Sequence, residues 1–159
     1  MEQKNTFENL DKMEMSNKDL KSELDKMDKL FKQLQLEQKA QETIDKLNQL
    51  AKEQNQLSQD TKENKQNQPT LQQQQQELNK KMEGVKEDLK QLDQFNKEND
   101  NKLDTKDNQS DAEDIKKEME NSSDALEQKQ NDKASKSQKS SAQKMQQMAQ
   151  KMKSGLDKM

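Results

Sequence analysis

The sequence has no Cys, His, Trp or Tyr, and all 29 of its basic residues are Lys. Without Cys there is no disulfide, thiolate nucleophile or zinc thiolate, and the redox compartment is left open. Without His, no side chain has an ordinary pKa near neutrality to serve as a general base. Without Arg there is no planar fork for base edges, and three Phe are the only aromatics to stack on bases. The 32 acids outnumber and interleave with the Lys, for a net charge of −3. This excludes a nucleic-acid partner. Only two glycines occur, Gly84 and Gly155, far apart, so there is no phosphate loop. No Ser sits in a strand–turn–helix elbow. Paired carboxylates need a cleft to separate their pKa values, and the apolar residues are too few to suggest its walls. An enzyme is therefore not expected, nor any cofactor or metal. No apolar run exceeds two residues, so no segment spans a bilayer and no signal peptide is present.

What is present favours long helices. Only 25% of the chain is apolar, below the norm for a globular domain and near the range of disordered chains. Yet Ala, Glu, Lys, Leu and Gln, all good helix formers, dominate the sequence, and Pro occurs once. The choice between disorder and coiled coil turns on periodicity.

The apolar residues are periodic. Leu20, Leu24, Met27, Phe31 and Leu34 are spaced 4, 3, 4 and 3 apart, which keeps one stripe on one helix face. After a phase shift through Leu36 and Ala40, the pattern resumes at Ile44, Leu47, Leu50/Ala51 and Leu57. A second stripe runs Leu71, Leu78, Met82, Val85, Leu89 and Leu92, with Phe95 just off register. A third contains Ala112, Ile115, Met119 and Leu126, and the end repeats the rule at Ala142, Met145, Ala149, Met152, Leu156 and Met159. No stretch alternates with period two, so no strands are expected.

The breaks give the boundaries. Asn5 with Glu8 resembles a capping box; Ser16, with Met15 and Leu20 at staple positions, is a second possible start. Pro69, after Asn67 and Gln68, suits the opening of a new helix. Asn99–Ser110 reads as a loop whose only apolar residue is Leu103, and Ser110 with Glu113 suggests another capping box. Asn121–Asp124 and Asn131–Ser141 are candidate interruptions of the last helix. The expectation is an all-α chain: one elongated module with helices over about 5–66, 69–99 and 111–157, as an antiparallel coiled-coil hairpin or three-helix coil. Gln38 and Gln75, on or beside the seam, should weaken it.

Other features read as solvated surface. The acids Asp104, Asp107, Asp111, Glu113 and Asp114 lack the alternation and Gly of a calcium loop, and suit a helix N-terminus instead. Lys129–Lys153 is locally basic, with Asp132 its only acid, but carries no Trp or Phe to seat it on a membrane. Gln72–Gln76 is too short a tract to drive aggregation.

The runs AQETIDKLNQLAKEQNQLSQDTKEN (40–64), QPTLQQQQQELNKKMEGVKEDLKQLDQFNKE (68–98), IKKEMENSSDALEQ (115–128) and DKASKSQKSSAQKMQQMAQKM (132–152) follow in that order. In that succession the chain resembles the helical region of a family of large, uncharacterised, membrane-anchored Bacteroidota proteins, a domain of unknown function. The resemblance spans nearly the whole chain. It implies a coiled-coil segment of an envelope protein facing the periplasm, an internal fragment whose anchor lies elsewhere in the parent. Some members have been labelled ATPases; this chain has no P-loop to match.

The interaction seam expected from these patterns comprises Leu20, Leu24, Met27, Phe31, Leu34, Ile44, Leu47, Leu78, Met82, Val85, Leu89, Leu92, Ile115, Met119, Met145 and Met152. These residues are expected chiefly to bury against one another within the hairpin. The function they suggest is a structural spacer or interaction module, binding protein partners or itself through helices. The alternative is a holdase-type chaperone, since a Met-rich seam suits promiscuous surfaces.

Overall fold

The computed structural model describes the backbone from residue 2 to residue 159 and side chains from residue 16 onward. The described chain is all-α. Its four helices are α1 (Glu2–Lys62), α2 (Gln68–Glu98), α3 (Asn108–Glu127) and α4 (Asn131–Asp157). Each packs on its neighbours in a ring: α1 on α2, α2 on α3, α3 on α4, and α4 back on α1. The short connections make neighbours antiparallel, as in an up-down-up-down bundle. Ser16 lies inside α1. The capping box at Asn5–Glu8 and the staple residue Met15 fall outside the residues with described side chains.

The expected third helix is two. The break is neither at Asn121–Asp124 nor within Asn131–Ser141, but between them at Gln128–Gln130. It repeats the turn that ends α1. After α1, Asn64 takes a left-handed conformation (φ 51°), Lys65 N–H donates to Asp60 O at 3.0 Å and Asn64 N–H to Thr61 O at 3.3 Å. After α3, Lys129 takes φ 58°, Gln130 N–H donates to Ala125 O at 2.8 Å and Lys129 N–H to Leu126 O at 3.0 Å. Both are Schellman caps, which satisfy the last carbonyls of a helix. The second was hidden because Lys occupies a position that usually carries Gly.

The other junctions follow their side chains. Asn67 caps α2 by accepting Thr70 N–H at 3.0 Å, with Pro69 in the first turn. The loop after α2 is held by Asn96, whose side chain accepts from Leu103 N–H and donates to Leu103 O, both at 2.8 Å. Leu103 is thereby buried against Gly155, where a Cβ would lie 3.5 Å from Leu103 Cδ1. Helix α3 starts at Asn108, so Ser110 falls within its first turn and is not its cap.

The core is a seam between four helices. It begins on α1 at Leu36 and runs through Ala40, Ile44, Leu47 and Leu57. It includes Met82, Leu89 and Leu92 of α2, Ile115, Met119 and Leu126 of α3, and Met145, Met148 and Met152 of α4. Helices α1 and α4 pack through small residues, and Ser58 and Ser135 each donate a hydroxyl to the other's carbonyl at 2.8 and 3.0 Å. Such reciprocal bonds require the two backbones to approach closely.

One core layer is polar. Gln75 is fully buried, and its carbonyl accepts from Gln54 at 2.8 Å and Gln138 at 3.1 Å. Its amide donates to Gln54 and to Asn79, both at 3.0 Å, and Asn79 passes a bond to Ser123 at 2.8 Å. Gln75 is thus a fully bonded hub joining all four helices rather than a defect in the seam. A shift of register would leave its amide unpaired, which costs about 1–3 kcal/mol per buried group. Farther along, Asp88 of α2 receives Lys39 at 3.0 Å and Lys46 at 2.7 Å from α1. Burial alone would push the Asp88 carboxyl up, but the hydrogen bonds from these two Lys outweigh it and hold it below the usual carboxylate range.

A left-handed residue carrying a Cβ is strained by roughly 1–2 kcal/mol, and Gly relieves most of that. Lys129→Gly is therefore expected to raise the bundle's stability by about 0.5–1 kcal/mol in urea denaturation followed by circular dichroism. A loss of stability would mean that the Gln128–Gln130 turn is not the one described.

Candidate interaction surface

The feature that sets this bundle apart is where α1 leaves it. Helix residues advance 100° each, so Leu20, Leu24, Met27, Phe31 and Leu34 lie within about 40° of one direction. The bundle face of the same helix, including Leu36, Ala40, Thr43, Leu47 and Ala51, points roughly half a turn away. Between Leu34 and Leu36 the apolar side of one continuous helix changes sides. Averaged along α1 the two faces cancel, so the helix shows almost no net amphipathicity, whereas α2, α3 and α4 are each strongly amphipathic.

This splits the expected seam in two. Ile44, Leu47, Leu78, Met82, Val85, Leu89, Leu92, Ile115, Met119, Met145 and Met152 are buried in the bundle. Leu20, Leu24, Met27, Phe31 and Leu34 are not; with Leu30 beside them they stand 49–66% exposed. The expectation that they bury within the hairpin is corrected. No other helix reaches that side, because the bundle closes against the opposite face of α1. There Asn99 Nδ2 donates to Lys32 O at 3.0 Å and Lys29 meets Asp100 at 3.3 Å.

Among the described residues, no other large apolar side chain is fully exposed. The direction of the stripe continues down the bundle as Gln38, Gln41, Asp45, Asn48 and Lys52, all exposed. Along the arm, Lys26 pairs with Glu23 at 3.5 Å and Lys32 with Asp28 at 3.3 Å, helix-spaced pairs that support the arm by only about 0.2–0.5 kcal/mol each. Six large apolar side chains in a row make a patch comparable to the largest on ordinary monomers, about 300–600 Å², and patches of that size are commonly functional.

The remaining sequence features take structural places. Asp111 meets Lys151 at 3.3 Å and Glu113 bonds Lys86, tying α3 to α4 and α2. The bond from Lys86 holds the Glu113 carboxyl below its usual range. Among the described residues, no group of three or more Asp, Glu, His or Cys gathers as a metal would require. In the basic stretch, Lys144 pairs with Glu118 at 3.4 Å and Lys151 with Asp111, while Lys133, Lys136, Lys139 and Lys153 are exposed. No helix described is long and apolar enough to cross a membrane. Sequence reasoning missed the buried Met148, which its helical spacing from Met145 and Met152 would have revealed. It also missed Gln54 and Gln138, whose side chains carry no hydrophobic signal.

No family model, curated protein or solved structure matches this chain.

The two faces of α1 should respond differently to truncation. At about 1 µM protein, Leu47→Ala is expected to cost about 2–5 kcal/mol in urea unfolding. Leu24→Ala should change stability by less than about 0.5 kcal/mol, as a surface substitution does. Equal losses at the two positions would show that the stripe is buried in the folded monomer.

Proposed function

We propose that this chain is a protein-interaction module, a four-helix bundle that holds out one helix as a docking arm, with no catalysis of its own. The observation that carries the reading is the exposed stripe from Leu20 to Leu34, where all the exposed large apolar side chains among the described residues lie. About 27 residues of α1 precede its contacts with Asp100 and Asn99 at Lys29 and Lys32, an arm of roughly 40 Å at about 1.5 Å per residue. Most helical stability in proteins comes from packing of an amphipathic face, so covering the stripe would stabilise the arm. The bundle supplies a rigid base, and its polar layer fixes the direction of the arm. A place in a cell envelope rests on the sequence resemblance alone.

The holdase reading has less support. It depends on a Met-rich open seam. Among the described side chains, Met82, Met119, Met145, Met148 and Met152 are core residues, and Met27 is the one methionine on the open stripe.

The test is a photo-crosslinking side chain placed at Met27 or at Glu120 in the cells that express the protein. Position 27 is expected to yield crosslinks to protein, and Glu120, exposed on α3 across the bundle from α1, to yield few. Equal yields at both positions would contradict the docking arm.

A further inference from the structure

The geometry points to a second copy of this chain as the occupant of the stripe, with the two α1 arms lying antiparallel and Leu24 of each facing Met27 of the other. This inference rests on the docking-arm reading and names its partner.

Three observations select it. The first is the heptad. Asn17, Leu24 and Phe31 fall at one core position, and Leu20, Met27 and Leu34 at the other, a two-helix seam. In an antiparallel pair the two kinds of position face each other. Leu24 then meets Met27, and Leu20 meets Phe31, each twice by symmetry.

The second is charge. Flanking the seam are Lys21 and Asp28 on one side and Glu23 and Leu30 on the other. In the antiparallel register stated, Lys21 of each copy lies beside Asp28 of the other, and Glu23 lies beside Leu30. In a parallel pair, Glu23 would lie beside Asp28 of the other copy, placing like charges together twice. Sliding the antiparallel pair by one heptad sets Lys21 against Lys21 in one direction and Asp28 against Asp28 in the other. The charges therefore choose both the orientation and the register. Asp28 already meets Lys32 of its own helix at 3.3 Å, an exposed pair that leaves a carboxylate oxygen free for Lys21 of the second copy.

The third is space. The bundle lies on the opposite side of α1, and the stripe's direction continues past it as exposed Gln38, Gln41 and Asp45. The end of a second arm can run along this face without meeting α2 or α4. The assembly is then bundle, arm, arm, bundle, with the arms back to back. The overlap from Asn17 to Leu34 repeats over about 27 Å of helix axis.

The native chain has no Cys, so an engineered thiol pair is unambiguous. Leu24→Cys and Met27→Cys are made separately, since both sites are exposed and neither change should disturb the bundle. Oxidised together, the two variants are expected to form a mixed disulfide-linked dimer at least ~10-fold faster than either alone, because only facing positions bring Cα atoms within about 7 Å. As a second measurement, Lys21→Glu should weaken self-association in sedimentation by about 3–10-fold, and adding Asp28→Lys should restore it. If Leu24→Cys alone links as fast as the mixture, the antiparallel pairing is overturned. If the wild-type chain sediments as a monomer at about 100 µM, self-association is overturned altogether, since a specific pair should form well below that concentration. Crosslinks from Met27 to a different protein would then still uphold the docking arm.

Discussion

The structure depends on a half-turn change of phase within one unbroken helix. Between Leu34 and Leu36, α1 moves its apolar residues from one side to the other with no kink, glycine or proline. A bundle can cover only one side of a helix. Whatever α2, α3 and α4 do to bury Leu36, Ile44 and Leu47, they leave Leu24 and Phe31 facing away. The open stripe is thus a consequence of helical geometry. The same change explains why α1 has little overall amphipathicity while carrying two apolar faces on opposite sides.

Below that point the chain builds a thin core with modest means. Small residues let α1 and α4 approach until Ser58 and Ser135 bond each other's backbone. Gln75 gathers Gln54, Asn79 and Gln138 into one connected layer, and the Asp88 carboxylate draws Lys39 and Lys46 across from α1. Such polar contacts add little net stability, because each replaces bonds to water. Their effect is on specificity: a slipped or rotated helix would strand buried amides and a buried charge. A Met-rich seam packs adaptably and specifies poorly, so the polar layer supplies register that Met119, Met145 and Met152 do not.

Much of this was legible in the sequence, for physical reasons that can be stated. The 3–4 spacing marked the helical stretches that became α1, α2 and the α3–α4 pair, because burial of one face requires it, but it ran α3 and α4 together as one helix. Asn67 and Pro69 marked the start of α2, since capping and a fixed φ leave a chemical signature. The turn at Gln128–Gln130 left none, because its left-handed position is held by Lys129, and only the backbone bonds of Gln130 and Lys129 reveal it. The stripe residues Leu20 to Leu34 were visible as a seam, but their partner was not. Spacing records that a face is apolar without recording what covers it. In the sequence the phase shift at Leu36 and Ala40 is only an irregularity of spacing; its angle of about half a turn makes it a division between two faces. Gln75, which hydrophobicity counts against a core, could be understood only with its four bonds in view.

Helix α1 has one face sealed by the bundle and an opposite face left open. Amide hydrogen exchange along this helix, measured from about 1 to 100 µM protein, distinguishes the two segments. Residues 36–62 should be strongly protected at every concentration. Protection over 16–34 should be weak in dilute solution and should rise as the arm is covered. Equal, concentration-independent protection of the two segments would contradict this arrangement.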